Sequence, residues 1–142
     1  MTGTVDIEAM SEFLAEPRNA IVGGIRKDGR PHMTPNWFLW DGERFYVSTT
    51  KSRAKFAIFS RDARVQLAID DATGHRYVVL DGTVEISDDV TGGLDMFKAL
   101  RHKHGRDDQT DEELHAEMVR DSRVLLIITP DKPQTKWLTT GF

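Results

Sequence analysis

"NAIVGGIRKDGRPHMTPNWFLW", residues 19–40, decides how the chain is built. An apolar run over 19–26 meets Asp-Gly at the centre of "KDGR" (27–30), and a second extended run follows over 31–40. An Asp-Gly pair between two such runs is a strong short-range signal for a β-hairpin. Pro35 puts the second run at a sheet edge or a bulge, because proline has no N–H to give to a central ladder. "DGE" (41–43) turns the chain again into a further strand, "RFYVSTT" (44–50).

The same reading extends outward from the hairpin. Residues 5–16 carry Ile7, Met10, Phe13 and Leu14 at helical spacing and stop at Pro17. Residues 52–60 fit a short helix, "DARVQLAID" (62–70) alternates as a strand does, and "DATG" (71–74) turns into "HRYVVLDGTVEIS" (75–87), one long strand with a kink expected at Gly82. A helix over about 88–104 ends at Gly105, and Thr110 with Glu113 forms a capping box that opens another helix to about Arg120. "RVLLIIT" (123–129) has the β-branched content of a central strand, and "QTKWL" (134–138), after Pro130 and Pro133, is expected to be the last. Six or seven strands joined mostly by short turns, with helices inserted late, favour a small antiparallel β-barrel over a βαβ sheet. The fold class is therefore mainly β (α+β).

A chain of 142 residues with 39% hydrophobic and 30% charged residues reads as one globular domain, 1–142, large enough to bury a core without staples. With no cysteine there is no disulfide framework, thiol nucleophile or Cys-ligated metal. A net charge of −4 disfavours nucleic acid as the main partner. The N-terminal stretch "MTGTVDIEAM" lacks the pattern of a signal peptide, and no apolar run is long enough to span a membrane. The expectation is a cytoplasmic protein.

"STTKSRAK" (48–55) is the stretch that speaks to function. Lys51, Arg53 and Lys55 stand where a helix begins, and cations there oppose the backbone dipole by a few tenths to about 1 kcal/mol each. The arrangement becomes favourable when an anion, a phosphate above all, is held between free N–H groups, the hydroxyls of Ser48, Thr49 and Thr50, and the cations. A solvated surface patch paired with Asp62 or Glu43 is the plainer alternative. Other chemistry is poorly served: G-x-S-x-G, Walker A and G-x-G-x-x-G motifs are all missing, so a Rossmann dinucleotide domain is not expected. His102 and His104 point to different faces of a helix and fit a surface better than a metal site. The acids of "DEELHAEM" (111–118) fit a solvated amphipathic helix with Leu114 and Met118 inward, not acid–base catalysis. Trp37, Phe38 and Trp40 are core or interface residues, and Trp137 is either packing or a pocket wall.

From "DGRP" through "STT" and the basic R-x-K to "F-x-x-x-x-R-D-x-R-V", residues 19–87 resemble the split β-barrel flavin and deazaflavin oxidoreductases, the pyridoxamine 5′-phosphate oxidase-like superfamily, and within it the single-domain type that uses coenzyme F420. "DSRVLLIIT" (121–129) and Trp137 extend the resemblance more loosely. It implies a homodimeric split β-barrel of six to seven antiparallel strands with a few helices, and a cofactor in a groove between subunits. Ser48, Thr49, Thr50, Arg53 and Lys55 match the phosphate region, with Lys51 an added cation that reaches toward the cofactor's acidic tail, as Arg61 and Arg64 also would. Arg61 and Arg64 equally serve to brace the helix with Asp62, Arg64 above all. His32, Met33, Thr34, Pro35 and Asn36 match the segment lining the ring, and His32 is the preferred polar contact. Asp70, His75, Arg76 and Trp137 match positions near the cofactor, although a turn role explains His75 as well. The implied function is hydride transfer from reduced coenzyme F420 to a small organic acceptor, such as an enone or a tetrapyrrole bridge, with no protein residue assigned as catalytic and no metal. The alternatives are an FMN-dependent reductase or oxidase on the same fold and a non-catalytic cofactor- or tetrapyrrole-binding protein.

Overall fold

Residues 4–142 are described by the computed structural model; residues 1–3, the start of the stretch read as carrying no leader, lie outside it. In chain order the elements are α1 (Ile7–Ala15), β1 (Asn19–Ile25), β2 (Pro31–Trp37), β3 (Leu39–Trp40), β4 (Phe45–Thr50), α2 (Ala54–Arg61), β5 (Arg64–Asp70), β6 (Tyr77–Ser87), α3 (Val90–Lys103), α4 (Asp111–Arg120), β7 (Arg123–Pro130) and β8 (Leu138–Thr140). Every strand pairing is antiparallel, and the sheet runs β2-β1-β5-β6-β7-β4-β3, with β8 added to β6. The sheet curls until β2 lies near β4, yet no ladder joins the two. This is the expected half-barrel, with a seam where closure stops.

Alternation on the strands builds the interior. Val22, Val47, Leu67, Val78, Leu126 and Ile128 are fully buried in one cluster, closed at one end by Phe13 and Leu14 of α1. Each such side chain contributes about 1.5–3 kcal/mol on burial. The outer face of β7 carries a second cluster, where Leu125 meets Phe97 and Leu100 of α3 and Leu114 and Met118 of α4. The inward Leu114–Met118 pair and the Thr110–Glu113 capping box are as the sequence predicts.

Three details differ from the sequence reading. The run over 31–40 is two strands, because fully buried Phe38 turns inward between β2 and β3 to pack beside Phe45. The stretch 134–138 is a 3-10 turn over Gln134–Lys136 followed by strand from Leu138; Pro133 opens the turn and Trp137 is drawn into the core against Trp40 and Phe45. The added short strands bring the count to eight. Finally, β6 runs unbroken through Gly82, whose role is close approach: a Cβ there would lie 2.8 Å from the Thr129 carbonyl oxygen of β7.

Lys103, in the last turn of α3, ties three elements together. Its ammonium donates to the Leu14 carbonyl of α1 at 2.7 Å and to the Phe38 carbonyl at 2.9 Å, and it stands 3.6 Å from the centre of the Phe38 ring. Burial, with Arg18 adding repulsion, lowers its pKa from 10.5 to about 8. The folded chain therefore holds fewer protons than the unfolded chain between pH 8 and 10.5, so this residue's contribution to stability is smallest below pH 8 and rises with pH through that window.

Two outcomes follow. Gly82→Ala presses a methyl against backbone that cannot move aside, and should cost about 1–3 kcal/mol in urea unfolding; an unchanged midpoint would contradict the close approach. The stability difference between wild type and Lys103→Met should be larger at pH 10 than at pH 7, and equal differences would show that Lys103 does not titrate in that window.

Candidate functional site

The site starts where β4 hands over to α2. Arg53 occupies the N-cap position in an extended conformation, no side chain caps the helix, and the first turn holds no acid. Its leading N–H groups are thus left without the usual Ser, Asp or Glu partner. Two positions after the N-cap, Lys55 is only 4% exposed. Its Nζ donates to Thr34 Oγ1 at 3.1 Å, and that hydroxyl donates to Asn36 Oδ1 at 3.0 Å. Burial first, and then the neighbouring Arg53 charge, push the Lys55 pKa down. No carboxylate pairs with this ammonium among the described residues. Beside it on β4, Thr49 is 1% exposed and its hydroxyl finds no partner. Thr50 and Ser52 bond to each other at 2.9 Å.

The Thr34–Asn36 relay leads into a cavity of about 430 Å³ at the seam. One wall is the end of β2, with Pro35, Asn36 and Trp37, together with Asn19. Ser48 of β4, Arg123 of β7 and Arg53 form a second wall. The α3–α4 hairpin supplies the third, with apolar Phe97, Leu100 and Met118 and the guanidiniums of Arg101 and Arg106. Four arginines and no carboxylate thus line the space. Arg123 donates weakly to Ser48 Oγ at 3.4 Å, its Nε has no partner, and burial followed by the Arg53 charge pushes its pKa down. Arg101 is braced from outside the lining by Glu117 and by Gln109 Oε1, the latter at 2.6 Å.

The structure thereby brings together Thr34, Pro35, Asn36, Ser48, Arg53 and Lys55 from the sequence-derived set, with Thr49 and Thr50 alongside. His32 and Met33 lie further along β2, Met33 being 59% exposed. Lys51 is paired with Asp88 at 3.3 Å. Arg61 donates to the Ile25 carbonyl and Arg64 pairs with Asp62 at 2.8 Å, so both are engaged outside this cavity. Asp70 ends β5, His75 and Arg76 lie in the turn before β6, and none of the three lines the cavity. In that turn Asp71 accepts from the Thr73 hydroxyl and from Arg76 Nε, which hold its carboxyl well below the usual range. Trp137 is packed in the core, its Nε1 donating to the Lys132 carbonyl at 2.9 Å. His102 contacts Asp107, and among the described residues no cluster of three metal-ligating side chains occurs.

Sequence reasoning missed Arg101, Arg106 and Arg123. Arg123 is legible only through register, since it sits opposite Thr50 across the β4–β7 ladder, two residues from Ser48. Arg101 and Arg106 had a local signal in Gly105. With φ of +75° Gly105 closes α3 in a Schellman motif, the Arg106 N–H donating to the Arg101 carbonyl and the Gly105 N–H to that of His102. This turn folds Arg106 back beside Arg101.

Among solved structures, an F420 reductase is 25% identical with a TM-score of 0.71, over 86% of this chain and 93% of that one. A conserved hypothetical protein from Mycobacterium tuberculosis is 20% identical at a TM-score of 0.79, covering 93% and 85% of the two chains. The heme storage protein HutZ from Vibrio cholerae shares 13% identity at a TM-score of 0.67 over 95% and 94%; likeness at such identities speaks to the fold alone. No helix among the described residues is long and apolar enough to cross a membrane. A sequence model of the pyridoxamine 5′-phosphate oxidase family matches residues 7–136, and the chain that carries this curled sheet and its basic seam belongs to that family.

Proposed function

We propose that the protein is a coenzyme F420-dependent oxidoreductase whose cofactor is anchored by its phosphate at the β4–α2 junction. The observation that carries this reading is Lys55: a nearly buried ammonium with a single hydroxyl partner, next to an uncapped helix start. A buried cation without a counter-charge is costly, and a phosphate would compensate it while using the free N–H groups of α2. The fit extends to the orphan Thr49 hydroxyl and to Arg123 Nε, both buried polar atoms in want of a partner.

In this reading Arg53 and Lys55 hold the phosphate with Ser48, and Arg123 adds charge from β7. Thr34 and Asn36 carry the polar relay from Lys55 toward the ring along one face of β2. When bound, the reduced deazaflavin supplies a hydride to an organic acceptor. The chain's own work is to bind, orient and exclude water; the proton comes from solvent, since no acid lines the cavity. Support for a deazaflavin over FMN comes from the F420 reductase likeness and from the number of guanidiniums, which exceeds what one terminal phosphate needs.

The reading includes a homodimer. The outward face of β1, β2 and β5 presents Ile21, Ile25, Met33, Pro35 and Ala68 around Gly23, an apolar surface of the kind that pairs two copies. A second copy there would turn the seam into a two-sided groove, to which the β5–β6 turn with Asp70, His75 and Arg76 contributes. A cytoplasmic location and the absence of nucleic-acid and membrane partners complete the proposal.

Fluorescence titration with coenzyme F420 and with FMN tests the cofactor assignment. Arg53→Ala and Lys55→Met should each weaken deazaflavin binding by about 1–3 kcal/mol, the worth of a charge-assisted contact. Tighter FMN binding would transfer the anchor to a flavin, and unchanged affinity in both variants would remove the anchor itself. Light scattering should give twice the 16.1 kDa chain mass, and Ile21→Asp should halve it; a monomeric wild type would exclude the two-sided groove.

A further inference from the structure

Two walls of the cavity, the end of β2 and the α3–α4 hairpin, share no backbone ladder among the described residues. β2 is laddered to β1 alone, so the sheet holds its end from one side only. What fixes that end against the hairpin is a pair of consecutive residues closing α3.

Lys103 donates to the Phe38 carbonyl at 2.9 Å and lies against the Phe38 ring, and its bond to the Leu14 carbonyl ties it to α1. His104 stacks on Trp37, with ring centres 4.1 Å apart and planes within 4°. Residues 103 and 104 thus grip residues 38 and 37. Trp37 lines the cavity beside Pro35 and Asn36, whereas Lys103 and His104 do not line it. The grip is rigid on the hairpin side, because the His104 and Arg106 N–H groups both donate to the Arg101 carbonyl, at 3.0 and 2.9 Å. Arg101 and Arg106, which do line the cavity, therefore ride on the same turn as the stacked ring. The rest of the hairpin is attached through the small cluster over β7.

His104 contributes its ring face. Its Nε2 is buried without a partner, and burial followed by the Lys103 charge pushes its pKa down, so the imidazole is neutral at pH 7. A neutral ring with an orphaned nitrogen is a packing surface, and a phenyl ring would serve in its place.

We propose that Lys103 and His104 are positioning residues that set the gap between the end of β2 and the α3–α4 hairpin. Through Trp37 they govern how tightly the cavity takes a ring-bearing cofactor, although neither lines it. The inference rests on the assignment of the cavity to that cofactor. The β4–α2 junction assigned to the phosphate is not part of this clamp.

Fluorescence tests it on the full chain as wild type, His104→Ala, His104→Phe and Lys103→Met, each shown to be folded by urea unfolding. In the free protein, acrylamide quenching of Trp37 is the difference between each form and the same form carrying Trp37→Phe. His104→Ala should raise that quenching and weaken coenzyme F420 binding by about two- to tenfold, the worth of one aromatic pair. His104→Phe, which keeps the ring and removes the orphaned nitrogen, should restore both to wild-type values. Lys103→Met, which releases Phe38, should act as His104→Ala does. Unchanged quenching in His104→Ala overturns the clamp. Raised quenching with unchanged cofactor affinity overturns the positioning role, and so does a His104→Phe that fails to rescue. Where wild type takes FMN in place of coenzyme F420, the same comparison is read with FMN. Binding of neither removes the cofactor assignment and the positioning role with it, while the quenching of Trp37 still decides whether the clamp exists.

Discussion

The barrel stops short of closing, and the site exists because of it. β2 comes near β4 without a ladder. Pro31 and Pro35 explain why: both sit in register with β1, so their nitrogens point to the free edge, and that edge lacks a donor at two positions four residues apart. A strand missing those two donors pairs poorly along that edge. The gap must then be filled by side chains, and those that converge on it are Thr34, Asn36, Ser48 and the cations of the β4–α2 junction. Had β2 carried ordinary residues at 31 and 35, backbone pairing would compete for the space that the cavity occupies.

Two lysines, half-buried Lys103 and buried Lys55, show how differently an ammonium drawn out of water is treated when its role is structural. Lys103 has two carbonyl acceptors and an aromatic face, and joins α1, the β2–β3 bend and α3. Lys55 has one hydroxyl and a neighbouring guanidinium. Both are pushed toward neutrality by burial, but only the first is given protein acceptors that offset the cost. An unpaired buried charge costs several kcal/mol. Such local destabilisation is expected where a ligand completes the structure, and it is the physical reason for reading the α2 start as a binding site.

Much of this was legible in the sequence because it is local. The Asp-Gly turn, the proline edge, the capping box at Thr110 and the basic start of α2 are each set by a few adjacent residues, and each holds in the structure. What escaped depends on distant packing. Phe38 breaks a strand because the core needs a ring beside Phe45, and Trp137 ends a 3-10 turn for a similar reason. Arg123 enters the site through the β4–β7 register, which joins residues more than seventy positions apart. Arg61 and Arg64, attractive by sequence proximity, are held by Ile25 and Asp62 instead.

The helical hairpin between β6 and β7 gives the cavity a division of labour. The sheet side is built from β2, β4, β7 and the start of α2, so its geometry is tied to the barrel. The α3–α4 side is an insertion whose fit depends on a small cluster of five buried residues and on the turn at Gly105. Changes in that turn would move Arg101, Arg106 and the His104–Trp37 stack together while leaving the β4–α2 junction intact. The two walls of the cavity therefore depend on different packing, the barrel interior for one and the small α3–α4 cluster for the other.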